Sequence, residues 1–287
     1  MPNTNHEPEY YTEGINNYNP CFNPRNDNEF IYIRKDFDKG TSEIIKHSLL
    51  TNTSNILLKN VSSSCHLTWG ENGWIIYTND NIYKLKDNGD SFTIISTPYN
   101  YSKTDVCYTK ENNFLFTLLG SPNSGNKIIN NNGLLVDSLE GLGSQQFLLL
   151  NEVSSENILA GKIENDKLFK IKVCDLNTKV YQDIKVLTTD YPNNQIKGLT
   201  WHPNNQDIIY SILSHGIFII NKNTGNEIKI IDGDGLYGFV SISPNGKNII
   251  FERIDFKKMS NQIDFLMEHN IFIIDINGNN LKKLEFL

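Results

Sequence analysis

The sequence predicts an all-β protein, a six-bladed β-propeller of four-stranded antiparallel blades, and three observations carry that prediction. A phrase made of a small residue, an apolar residue, a polar turn and a β-rich apolar run recurs six times along 287 residues. The runs begin at Phe30, Trp74, Phe114, Ile158, Ile208 and Ile249, a mean interval of about 44 residues, which falls within the period of a propeller blade. Each copy continues through a second β-rich run, a Gly/Asn turn and a third run, so every repeat holds four strands, labelled a to d from first to last.

The copies read in order as follows. Blade one is "CFNPRNDNEFIYI"; blade two is "TWGENGWIIYT" followed by "NIYKLKDNGDSFTIIS"; blade three is "CYTKENNFLFTL". Blade four is "LNEVSSENILAG" with "LFKIKVCDLNTKVYQDIKVL", and blade five is "TWHPNNQDIIYS" with "GIFIINKNTGNEIKII". Blade six is "SISPNGKNIIFE" with "NIFIIDINGNNLKKLEFL", whose final residues 281–287 are expected to supply the outer strand and close the ring on blade one. Pro203 and Pro244 pre-set φ at the first corner of an a–b turn, and the Asn or Gly that follows tolerates the conformations a hairpin needs. Phe22, Trp69, Tyr108, Trp201 and Ile242 fill one equivalent slot at the end of strand a, so Trp69 and Trp201 are expected between blades.

The phrase resembles the TolB-like propeller repeat, in which a Ser-Pro-Asp-Gly turn precedes an apolar strand and a later strand ends in an Asp-x-Asp-Gly-type turn. "SISPNGKNIIF" with "NIFIIDINGNN" carries the likeness best; Asn245 stands where the family has Asp, and blades two, three and four lack the Pro. The resemblance covers residues 18–287 and leaves residues 1–17 as a polar N-terminal extension. It implies a non-catalytic binding scaffold for a protein or a glycan in a bacterial cell envelope. The rival it also implies is a polysaccharide lyase or hydrolase with its site at the central channel mouth.

Composition narrows the partners. A net charge of -7, with 26 Lys and Arg against 33 Asp and Glu and no basic cluster, disfavours nucleic acid. No apolar run reaches the ~18 residues of a membrane helix. The start "MPNTNHEPEYYTEG" has neither a basic n-region nor an apolar h-region. The expected setting is the periplasm or another envelope compartment if a signal peptide has been removed, with the polar start as the stump of a lipoprotein spacer; the alternative is the cytoplasm. A monomer is expected. The richness in Asn reads as genome composition rather than chemistry.

Chemical motifs are few. The four cysteines include no C-x-x-C pair, and no H-E-x-x-H, G-x-S-x-G or Walker loop occurs, so no metal and no cofactor is expected. "GDGLYG" at Gly233–Gly238 fits a dinucleotide fingerprint only in letters, because it opens a strand and not a helix. Asp232 and Asp234, in the overlapping "DGDG", resemble a fragment of a calcium loop without the later carboxylates.

Antiparallel strands put the a–b and c–d turns on one face and the b–c and d–a loops on the other. The first set is short and Asn/Gly-rich; the second varies, with segments 34–43, 97–105, 137–145, 188–196, 232–237 and 252–270. Variable loops on a repeating scaffold point to the second face as the recognition surface. Its candidate binding residues are Tyr99, Tyr101, Tyr191, His215, Asp232, Asp234 and Tyr237. Tyr offers a rigid ring and a hydroxyl, which suits sugar stacking and protein hot spots alike. Within 252–270 the apolar spacing fits either a helix or an extended hairpin.

Overall fold

A computed structural model describes residues 9–62, 66–78, 81–120, 124–139, 149–165, 168–188, 195–233, 235–259 and 264–286. After a two-residue strand β1 (Tyr10–Tyr11), blade one comprises β2 (Ile15–Asn23), β3 (Asn26–Asp36), β4 (Thr41–Ser48) and β5 (Thr53–Lys59). Blade two holds β6 (Leu67–Trp69), β7 (Trp74–Thr78), β8 (Ile82–Lys86) and β9 (Phe92–Ile95). Blade three holds β10 (Lys103–Tyr108), β11 (Phe114–Leu118), β12 (Gly125–Ile129) and β13 (Leu135–Leu139). Blade four follows as β14 (Leu149–Val153), β15 (Ile158–Asn165), β16 (Leu168–Asp175) and β17 (Tyr181–Thr188). Blade five is β18 (Ile196–Trp201), β19 (Asp207–Ile212), β20 (Gly216–Asn221) and β21 (Glu227–Ile231). Blade six is β22 (Leu236–Ile242), β23 (Asn248–Lys258), β24 (Phe265–Asp275) and β25 (Lys282–Lys283).

Within each blade the strands pair in sequence order and antiparallel, and the innermost strands pack against one another around the ring, with β2 against both β6 and β22. The core is divided accordingly. Six apolar clusters fill the six junctions between neighbouring blades, from Ile31, Leu67 and Trp69 between blades one and two to Phe30, Ile250 and Leu284 between blades six and one. A four-stranded blade cannot cover its own faces, so stability comes from these junctions. Trp69 and Trp201 are both buried in them, at 4% and 7% exposure.

The expected outer strand of blade six is present but short: Lys282 and Lys283 pair with Ile273 and Phe272. The other end of the same edge is covered by β1, whose Tyr10 and Tyr11 run parallel to Phe265 and Leu266. Strand β2 begins at Ile15, upstream of the first residue of the recognised repeat. Segment 252–270 resolves as a hairpin: β23 and β24 stay paired out to Lys258 and Phe265, well beyond the length of the blade.

The a–b turns of blades two to six share one geometry. The amide of the fourth residue donates to the carbonyl of the first in Gly70–Gly73, Thr109–Asn112, Ser154–Asn157, His202–Asn205 and Ser243–Gly246. The fourth residue is always left-handed, at φ 75°, 58°, 65°, 55° and 71°. Only Gly and Asn take that conformation at low cost, so the turn needs no Pro, and blades two to four make it without one.

Candidate functional site

The axial channel is a well that opens on the turn face. A cavity of about 290 Å³ runs along the axis between Pro24, Glu71, Ser155, His202 and Pro244 at the rim and His66 and Phe239 deeper in. A second cavity of about 640 Å³ continues the mouth towards Tyr108, Lys110 and Asn112. His66 and Phe239 come from blades two and six, which do not adjoin, and their rings stack across the axis with centroids 5.4 Å apart. Phe239 lies within a register shift of β22 between Tyr237 and Val240, and β2 and β10 carry similar shifts between Tyr18 and Cys21 and between Thr104 and Cys107. Burial holds the His66 imidazole below its ordinary pKa, against a smaller opposing pull from Asp105, and His66 Nδ1 is buried without a hydrogen-bond partner.

The rim of the well is tied into a belt. Going round the turn face, Arg25 pairs with Asp87 at 2.6 Å, Asn72 donates to Asn112 at 3.3 Å, and Asn157 donates to Glu111 at 3.4 Å. Asn205 donates to Ser155 at 2.8 Å, His202 meets the Gly246 carbonyl at 3.3 Å, and the Asn245 amide donates to Asp27 at 2.8 Å. Each contact joins a turn of one blade to a turn of the next, so all six junctions are bridged.

The loop face is built differently. Where blade six meets blade one, the carboxylate of Glu252, 5% exposed, receives the Asn19 amide at 3.3 Å and His269 Nδ1 at 2.7 Å. The His269 ring lies 4.4 Å from the Tyr18 ring, and the His269 amide donates to Asn16 at 2.7 Å. Burial, then the nearby Glu252 charge, pushes the Tyr18 hydroxyl well above the ordinary tyrosine pKa. On blade three, the buried ammonium of Lys103 donates to the carbonyls of Tyr99 at 2.8 Å and Tyr101 at 3.1 Å, fixing the loop that leads into β10.

Of the residues singled out from the sequence, Tyr101 stands out at 44% exposure, whereas Tyr99 is half-buried against Phe116. Tyr237 is corrected: at 1% exposure it is a core residue of the junction between blades five and six, and its hydroxyl reaches the Gly233 carbonyl at 3.5 Å. It sits on β22 itself, with its side chain packed in the junction. His215 is half-buried in the β19–β20 turn. Asp232 is exposed and pairs with Lys229 at 2.6 Å, and that hydrogen bond is the main reason its carboxyl lies below the ordinary range, with a small contribution from His215. Tyr191 and Asp234 lie outside the described residues.

An aromatic group on the long hairpin has no counterpart among the candidates drawn from the sequence. Tyr10, at 57% exposure, stacks on Phe265 with centroids 5.7 Å apart and meets the edge of Phe256, at 40% exposure, at 5.8 Å. Phe256 was visible as part of an apolar run, but Tyr10 lay in a segment read as polar, and only the β1–β24 pairing brings them together. Among the described residues no three His, Cys, Asp or Glu side chains come together as a metal ion would require.

No family model and no curated protein matches this sequence. Solved structures do match the fold. A TolB candidate protein from Agrobacterium tumefaciens superposes with a TM-score of 0.67 at 13% identity, over 83% of this chain and 86% of that one. TolB from Acinetobacter baumannii gives 0.55 at 13%, over 88% and 67% of the two chains. The propeller in a nidogen/laminin complex gives 0.63 at 12%, over 85% and 89%. At such identities the likeness is one of fold, and the fold is that of TolB-like six-bladed propellers.

Proposed function

We propose that this chain is a non-catalytic binding scaffold that recognises a protein or glycan partner at its loop-rich face. One observation carries the reading. Among the described residues five aromatic side chains are exposed, Tyr10, Tyr11, Phe92, Tyr101 and Phe256, and all but Phe92 lie on the loop face. They form two outposts, Tyr101 on blade three and the Tyr10–Phe256–Phe265 group on blade six, on opposite sides of the ring. Exposed aromatics held by rigid elements are the usual anchors of recognition. Lys103 fixes the first outpost and the paired hairpin fixes the second, so little conformational entropy is lost on binding. Tyr99, His215 and Asp232 flank these anchors.

A propeller of this fold engages another protein in the nidogen/laminin complex, which agrees with the reading. The TolB likeness agrees with a setting in the cell envelope, and a monomer suffices for the function. Hydrolysis or elimination of a polysaccharide calls for an acid and a base converging on one sugar. The well is lined mainly by Ser, Thr, Pro, aliphatic and aromatic side chains, with Glu71, His66 and His202 among them, and the exposed aromatics of the loop face favour binding over that chemistry.

The test is binding to a glycan array and to candidate envelope proteins by the wild type and by Tyr101→Ala and Phe256→Ala. The proposal expects each variant to lose binding with an unchanged melting temperature. Undiminished binding by both variants overturns it.

A further inference from the structure

Blade two carries a pair of cations, Lys84 and Lys86, with no counter-charge among the described residues. Lys84 and Lys86 are two residues apart on β8 and so project from one side of the strand. Trp74, at the start of β7, pairs with Lys86 in register. The Lys84 ammonium stands 4.5 Å from the centre of the Trp74 ring and the Lys86 ammonium 4.8 Å from it. Lys84 also lies 5.9 Å from the Phe114 ring of blade three and donates to Asn131 Oδ1 at 2.9 Å, while Lys86 donates to the Asn72 carbonyl at 3.4 Å. All these partners are neutral. Among the described residues neither ammonium has a carboxylate partner.

This is costly, because neither charge is neutralised, and several other partly buried lysines do have an acid beside them. Lys170 and Lys172 share Asp183, Lys185 pairs with Glu227, and Lys222 pairs with Glu156, as expected of partly buried lysines in a chain of net charge -7. The indole face attracts each ammonium but does nothing about their mutual repulsion. Burial, and then the Lys86 charge, holds Lys84 below the ordinary lysine pKa. Stability alone would favour Met or Gln at either position. The pair also adjoins open space: Asn72, the acceptor of Lys86, forms a wall of the 640 Å³ cavity together with Asn112 and the exposed Lys110, which likewise has no carboxylate partner among the described residues.

We propose that Lys84 and Lys86, held over Trp74 at the junction of blades two and three, form a binding site for a compact dianion of the phosphate or sulfate class. Two lysines a strand repeat apart on one side of β8 can set two ammonium groups against one tetrahedral group, and lysine, a compact point charge with three donors, suits that shape better than a planar carboxylate. Lys110 adds a third positive charge on the wall of the cavity, which also carries the Glu71 carboxylate, and the remainder of a phosphorylated or sulfated molecule would lie there. The site is on the turn face, opposite the recognition surface proposed above, and stands independently of it.

The test titrates the full chain with inorganic phosphate, sulfate and acetate at constant ionic strength, balanced with chloride, and follows Trp74 fluorescence. Phosphate or sulfate is expected to give a saturable change, with acetate much weaker. Lys84→Met and Lys86→Met should each raise the half-saturation concentration about tenfold or more, the loss expected for a charged hydrogen bond. Trp74→Phe should remove the signal while calorimetry still detects binding. Lysine side-chain nitrogen NMR on the unmutated protein gives a second readout, in which phosphate shifts Lys84 and Lys86 and leaves the exposed Lys39 unmoved. A response that chloride or acetate reproduces, that persists in the Lys84→Met/Lys86→Met double variant, or that moves Lys39 equally overturns the proposal. Phosphate and sulfate acting with equal strength points to charge alone; a clear preference identifies which modification the natural ligand carries.

Discussion

On the turn face five connections repeat one conformation, with Asn or Gly at the left-handed corner, and side chains touch from blade to blade all the way round. On the loop face the connections differ in length, among them three residues between β19 and β20 and a hairpin that outgrows its blade, and the buried Glu252 carboxylate, taking the Asn19 amide, ties the junction of blades six and one. The contrast shows how a repeat protein divides its labour. Identical short turns let the ring close and hold the mouth of the well, while unequal loops place exposed aromatics where a partner can reach them. Repetition serves stability on one face, and departure from it serves recognition on the other.

The largest expected effect comes from the wall both faces share. Trp69→Ala or Trp201→Ala should cost about 3–5 kcal/mol in denaturant titrations, as deletion of a large buried aromatic does. A cost below about 1 kcal/mol would place the residue outside the junction. Next comes Lys103, the one buried support of an exposed anchor. Lys103→Met leaves the carbonyls of Tyr99 and Tyr101 without their donor and should destabilise by about 1–3 kcal/mol, with proteolysis appearing first in 97–103. If cleavage starts at the turn face instead, the two faces are not as different as drawn.

Asn205 sharpens the comparison further. Asn205→Ala loses both the Ser155 contact and the tolerance for φ 55°, and about 1–2 kcal/mol is expected. Asn205→Gly keeps the conformation and should recover most of that loss. Equal costs for Ala and Gly would assign the residue to the belt alone.

The smallest effect is one of pH. His47 and His66 both have folded pKa values depressed by burial, so the unfolded chain binds protons more readily than the native one. Their contribution is complete above the unfolded histidine pKa of about 6.5 and is lost as pH falls towards the folded values. Melting temperature should drop on acidification below that point, and less steeply in His66→Gln than in the wild type.

Much of the fold was legible because blade-forming signals are local. Apolar runs beginning at Phe30, Trp74, Phe114, Ile158, Ile208 and Ile249 all fall in the second strand of a blade. What escaped were relations between distant segments. Reading the Asn content as genome composition missed its conformational use: of the nine non-glycine residues at positive φ among the described residues, all but Asp105 and Lys179 are Asn. Phe239 meets His66 from within a bulge of β22 that leaves no sequence signal, and Tyr10 joins Phe256 only through a parallel pairing between the two ends of the chain. Tyr101 was legible as an exposed loop residue. Tyr237 was not distinguishable from it, because one residue more or less in the loop decides whether the side chain enters the junction.

The division between the faces is tested most directly by site-specific photo-cross-linking. A photoreactive phenylalanine analogue replaces Tyr101 on the loop face in one protein and the exposed Thr224 on the turn face in another. Both are irradiated with the partner identified in the binding screen. Capture from position 101 and not from position 224 is the predicted result. Capture from position 224 with none from position 101 would contradict the account and move recognition to the mouth of the well.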